Sequence, residues 1–331
     1  MKQITTLSCI LFIIFAIHGC GGGNSGSDTS PPATSSDDIA INRENAKTLA
    51  LQAYSIVNQV DEQRNISGTT KSANALNHSP HNLTSPAALS QWAIQLANHT
   101  HATPHASLRS ATTRKTISDT TECDISGSTK ITLTSSNPGE ITPGDKLTFR
   151  FNNCDDGDGS VLNGTLILVY NEYQSDENYS VTMKFDAAVL TSEENNLVQG
   201  DMTVTLETSG DITTTTVSSP RFYTLNGNEA STLENMRNTQ IEGGLLYVID
   251  YDTELTSDKI GGKVEITTEP KFRGNITKPY PNTGVMTVTG ANNTSVQLNA
   301  DTGSNATAFL TINDGSAITS EEIFWRELET L

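Results

Sequence analysis

Basic residues are scarce in this chain: 20 Lys and Arg stand against 38 Asp and Glu, giving a formal charge of −18 over 331 residues. The basic residues are scattered singly, so no stripe exists to displace counterions from a phosphate backbone, and nucleic acid is excluded as a partner. Aromatic residues make up only 6% and apolar residues 35% of the chain, too little for a broad greasy surface. No Gly-x-Ser-x-Gly elbow, Walker loop, His-Glu-x-x-His or strand-linked Gly-x-Gly-x-x-Gly occurs, so the familiar hydrolase, nucleotide and zinc-protease chemistries have no foothold. The expectation is a protein without catalytic residues or cofactor.

Long apolar runs are also missing beyond the first twenty residues. Lys2 precedes an apolar run, Leu7 to Ile17, interrupted by Ser8 and Cys9. Too short to span a bilayer, it reads as a cleaved leader. It ends in Ile17-His18-Gly19-Cys20, which resembles the lipobox of bacterial lipoproteins: an aliphatic residue three places before Cys, and Gly directly before it. That resemblance implies that Cys20 becomes the N-terminus of the mature chain, bearing thioether-linked diacylglycerol and an amide-linked acyl chain such as palmitate. Gly21, in place of Asp, implies sorting to the outer membrane. The anchor is therefore the expected membrane contact, since acyl chains hold a protein at about 0.8 kcal/mol per buried CH₂ without a spanning helix.

Cysteine is sparse as well. Cys9 leaves with the leader and Cys20 is taken by lipid, so Cys123 and Cys154 remain as an even pair in an exported chain and are expected to form a disulfide. The close spacing and second pair that a zinc site needs are lacking. His99, His101 and His105 lie near one another, but no Cys or carboxylate falls within the run and Pro104 interrupts it. Asp155, Asp156 and Asp158 form the densest acidic cluster, yet Cys154, Gly157 and Val161 break the alternation of an EF-hand loop. These six residues are weak metal candidates, and no metal is expected.

The chain divides into a leader at 1–19, a Gly-, Ser- and Pro-containing tether at 20–37, a helical segment with a His-containing linker at 38–115, and a β domain at 116–331. Asn42 is placed to cap a helix bearing Ala46, Leu49, Ala53, Val57 and Val60 on one face. Ser85-Pro86 opens a second, with Leu89, Trp92, Ala93 and Leu96 as its stripe. From Thr116 onward the period is two: Val181, Met183 and Phe185, then Met202, Val204 and Leu206, then Val264 and Ile266. One dry and one wet face per strand predicts a large antiparallel sheet of about ten to fourteen strands, as a sandwich or a curled half-barrel. Leu166 to Tyr170 and Leu245 to Ile249 read as central strands apolar on both faces. Asn163-Gly164 and Asn226-Gly227 read as tight turns, and Gly200, Gly262 and Gly284 as hairpin starts.

Gly284-Val-Met-Thr-Val, Ile312-Asn-Asp314-Gly315 and Phe324-Trp325-Arg-Glu-Leu328 look like the ends of uncharacterised Gram-negative lipoproteins, a likeness that implies no particular activity. The architecture is similar to the half-barrels of periplasmic lipoprotein carriers. Two functions follow as expectations: a non-catalytic interaction or structural module that meets a protein, and, alternatively, a carrier holding an apolar ligand such as a lipid or acyl chain.

Overall fold

The computed structural model describes residues 37–58, 115–137, 140–155, 160–191, 195–304 and 306–328. Cys20, the expected helix at Ser85, the three His candidates, Asp156 and Asp158 lie outside the described residues.

One α-helix is described, α1 at Ala46–Asn58. Asn42 begins it as its spacing predicts, its Oδ1 accepting the Glu44 and Asn45 backbone N–H groups at 2.8 and 3.0 Å. Asn45 Oδ1 accepts the Asn42 N–H in return, at 2.8 Å, so donors that a helix start leaves orphaned are satisfied reciprocally. Ala46, Leu49, Ala50, Ala53, Tyr54 and Val57 form its buried face.

The rest is one antiparallel sheet of fifteen strands, one more than the upper expectation. β1 (Lys115–Glu122), β2 (Ser126–Ser135), β3 (Lys146–Asp155), β4 (Ser160–Ser175), β5 (Asn178–Thr191), β6 (Asn195–Ser209), β7 (Ile212–Asn226), β8 (Glu229–Gly243) and β9 (Leu246–Ser257) follow one another as a meander. The far side of β9 is shared: its second half pairs with β10 (Gly262–Thr268), its first with β11 (Phe272–Asn275). From β10 the sheet continues through β12 (Val285–Thr289), β13 (Ser295–Asn299), β14 (Thr307–Asn313) and β15 (Ile318–Phe324). The sheet is not closed, and β1 and β15 are its ends. The short β11 and the polar β1 show no alternation of their own, which is why the sequence count falls low.

Rows of dry-face side chains run across the strands. Phe149, Leu166, Phe185, Gly200, Phe222, Leu233, Leu255 and Val264 occupy successive cross-strand positions from β3 to β10. Gly200 is the gap in this row and lies inside β6, not at a hairpin start. Its φ of +131° and the Arg221 carbonyl oxygen, 2.4 Å from where a Cβ would stand, admit only glycine. Phe185 and Phe222 meet across it edge to face, 5.6 Å between centroids. Gly164 likewise sits within β4 rather than in a turn: the irregular register between Phe151 and Cys154 falls beside it, and Asn163 Oδ1 accepts the Asn153 N–H at 2.8 Å. Asn226-Gly227 does join β7 to β8.

The dry face and α1 belong to one contiguous apolar core. The outward face carries hydroxyl ladders instead, such as Ser118 with Thr132 at 2.9 Å, Thr182 with Thr203 at 3.0 Å and Thr311 with Ser320 at 2.8 Å. Such cross-strand pairs hold register on a wet surface. Residues 37–41 run past the start of β10 and the 3₁₀ turn at Ala291–Asn293, with Lys263 N–H donating to Asp37 O and Ala291 N–H to Ile39 O at 3.0 and 2.7 Å. A Cβ on Gly262 or Gly290 would collide with this segment.

Candidate functional site

The disulfide expected from the sequence is present: Cys123 and Cys154 are bonded, their Cα atoms 5.4 Å apart across a sequence separation of 31. The two cysteines meet because β2 and β3 both shift register here. Gly127, at φ +78°, lies against the Asn152 and Asn153 carbonyls with no room for a Cβ. Thr129 Oγ1 donates to Cys154 Sγ at 3.3 Å. Asp155 ends β3 opposite Ser126 and Val161, its backbone oxygen accepting the Ile125 N–H at 2.8 Å. Among the described residues no three His, Cys, Asp or Glu side chains converge.

Strong shifts in proton affinity have local, structural causes. Burial pushes the Tyr170 and Tyr179 phenols up. Burial, followed by donation to Asp176 Oδ1 at 2.6 Å, raises Tyr173 to about 12. Asp314 is held down at about 2, first by the Ser316 hydroxyl and then by the Ser316 and Ala317 N–H groups of its own turn. These groups stabilise turns and edges, and none is poised near neutrality for proton transfer.

One end of the sheet departs from the pattern of the rest. Where β6 turns into β7 and β8 into β9, the dry face turns polar: Thr215, Gln240 and Ile249 stand in one cross-strand row, Val217, Asn238 and Tyr251 in the next. Asn238 and Gln240 are 5% and 3% exposed, and neither Asn238 Oδ1 nor Gln240 Oε1 has a hydrogen-bond partner among the described residues. The Gln240 amide N–H donates to Glu242 Oε1. Burial drives the Tyr251 phenol well above its ordinary range, fixing it as a neutral hydroxyl.

The outward face of the same end is apolar. Ile212 on β7 lies over Gly243, Ile241 on β8 faces Thr214 and Val248, and Leu246 on β9 faces Gly243 and Asn275. Leu245 in the turn and Ile276 after β11 adjoin them, joined by the Ile276 N–H bond to Leu245 O at 3.0 Å. Leu246 is 64%, Leu245 57% and Ile212 52% exposed. The reading of Leu245 to Ile249 as a central strand holds for β9, which is paired along both edges, but its apolar residues divide between core and surface. Tyr247 and Ile249 are buried, while Leu245 and Leu246 point to the surface. The signal was in the sequence, as Ile212 before four threonines and Ile241 between Gln240 and Glu242, but alternation alone does not say which phase faces inward.

No helix among the described residues is long and apolar enough to cross a membrane. No protein-family model, no curated protein and no solved structure matches the chain.

Proposed function

We propose that the chain is a lipid-anchored protein of the bacterial outer membrane whose β domain is a non-catalytic interaction and structural module. The observation that carries this reading is the contiguous core. The dry faces of the sheet and α1 pack large side chains against one another, with Phe149, Phe222, Phe272, Met183, Met202 and Trp325 all essentially inaccessible. A sheet that covers itself in the manner of a sandwich works through its outward face, rims and turns. The anchor rests on the Ile17-His18-Gly19-Cys20 leader. Expression in a Gram-negative host with labelled palmitate is expected to label the protein in the membrane fraction, and Cys20→Ala to abolish the label. An unlabelled wild-type protein overturns the anchor.

The carrier reading has one observation in its favour, the buried Asn238 and Gln240 oxygens, which have no partner among the described residues. In a curled half-barrel those oxygens would receive a hydroxyl or amide of an amphipathic ligand, since an unpaired buried acceptor costs about 1–3 kcal/mol. Native mass spectrometry of the detergent-extracted protein separates the two. The expected mass is that of the chain and its anchor alone. A further stoichiometric lipid, lost on Asn238→Leu with Gln240→Leu, decides for the carrier.

A further inference from the structure

We propose that the end of the sheet formed by the β6–β7 turn, the β8–β9 turn and the tail of β11 inserts into the surface of a lipid bilayer, with Ile212, Ile241, Leu245, Leu246 and Ile276 as the inserting side chains. The proposal stands apart from acylation at Cys20 and goes beyond the anchor reading.

The inverted pattern carries it. Elsewhere the sheet is apolar inside and hydroxyl-rich outside; here Asn238, Gln240 and Glu242 join Tyr247 and Ile249 on the inward face while Ile212, Ile241 and Leu246 face outward. Strands that admit polar groups within and turn aliphatic side chains outward suit an apolar surrounding medium rather than water. The inversion spans only the first residues of β7, the last of β8 and the first of β9, which fits shallow insertion of turns rather than a membrane-crossing wall.

Three further features favour lipid over protein. The exposed apolar side chains are all Ile or Leu, whereas interface hot spots draw on Trp, Tyr and Arg. Five such side chains at these exposures offer roughly 400–500 Å², the size of the largest patch on an ordinary monomer and well short of the about 800 Å² per partner that a stable interface buries. The charges around the tip are mixed, Arg273 and Lys278 against Asp211, Glu207 and the half-buried Glu242, in a chain whose overall charge is −18. A tip of mixed charge can approach a zwitterionic surface, while the protein as a whole is repelled by an anionic one. Reach is no obstacle. Asp37 attaches at Lys263, at the other end of β9 and about 40 Å from the tip at ~3.4 Å per residue, while a chain of the length that separates Cys20 from Asp37 can span at most about 60 Å.

The test is a fluorescent probe sensitive to water, attached to the full chain at Leu246→Cys, with the same probe at Ile318→Cys as control. Ile318 is equally open to solvent at 72% exposed, but lies at the start of β15. Vesicles contain phosphatidylcholine and phosphatidylethanolamine, with or without brominated acyl chains. The expected result is a several-fold rise in emission at position 246, quenched by the brominated chains, insensitive to salt, absent at position 318 and removed by Ile212→Asp. Quenching at 246 that persists in Cys20→Ala establishes the tip without the anchor. Protein held on vesicles by its acyl chains with no quenching at 246 overturns the tip and leaves the anchor standing. Emission at 246 that rises with protein concentration and ignores brominated lipid also overturns it, and assigns the patch to a second copy.

Discussion

Trp325→Ala is expected to lower the stability of the folded domain by about 3–5 kcal/mol, the range for removing a large aromatic side chain from a packed interior. Trp325 is fully buried and opens the 3₁₀ turn Trp325–Leu328 that follows β15. Three rings converge on it: Tyr280 stacked at 5.5 Å, Tyr54 tilted at 4.9 Å and Phe272 edge-on at 6.4 Å. Tyr54 belongs to α1, Phe272 to β11 and Tyr280 to the connection that follows it, so one side chain at the end of β15 joins the helix to β11 and its following connection. A thirteen-residue helix does not persist alone in water, and the ion pair of Lys47 on α1 with Glu327 of this turn, at 2.6 Å, is half-exposed and weak. Loss of the indole therefore also loosens α1. Urea titration followed by far-UV circular dichroism should show a lower midpoint and earlier loss of the helical signal. Trp325→Phe is the informative companion. The indole N–H has no hydrogen-bond partner among the described residues, so a ring without it keeps most of the packing and is expected to cost less than half as much. Equal losses for Ala and Phe would refute the packing account.

That hub is one of the features the sequence made only partly legible. The strand ends at Phe324 and Trp325 begins a 3₁₀ turn, beyond the reach of the alternation that marks the strands. The elements themselves are legible where a local cause acts. Asn42 caps α1 because its side chain reaches donors two and three residues on, and alternation marks β5, β6, β10 and β12 because each strand has one wet face. What is hidden depends on neighbours distant in sequence. Gly200 is required by Arg221 and by two phenylalanines on flanking strands, and no pattern within β6 announces it. The phase of Ile212, Ile241 and Leu246 is likewise set across three strands: once Val217, Tyr247 and Ile249 face the core, register forces the intervening aliphatic residues outward. Composition marks Leu245 to Ile249 as apolar on both faces, but it counts apolar residues without knowing which face the sheet covers.

Replacing both Cys123 and Cys154 with alanine is expected to lower stability by about 3–4 kcal/mol, the loop-entropy contribution of a bond closing some thirty residues. Two structural facts set where the loss appears. β1 is an end strand whose side chains are largely exposed and whose one neighbour in the sheet is β2, so little apolar burial holds it. The disulfide ties the residue just after β1 to the end of β3 across the irregular register of β2, and so fastens the edge past its immediate neighbour. In the reduced protein β1 should open first: its amides are expected to exchange in hydrogen–deuterium experiments far ahead of those of β4 to β9, while the core strands keep their order of protection. The unfolding midpoint in urea should fall, and it should fall equally for the double variant and for wild type under reductant, because Cys154 is packed as a small apolar group beside Thr129 and its truncation leaves only a small cavity. A midpoint unchanged by either treatment would mean that the ladder between β1 and β2 suffices by itself. Loss of protection across β4 to β9 together with β1 would place the bond within the single cooperative core rather than at its edge.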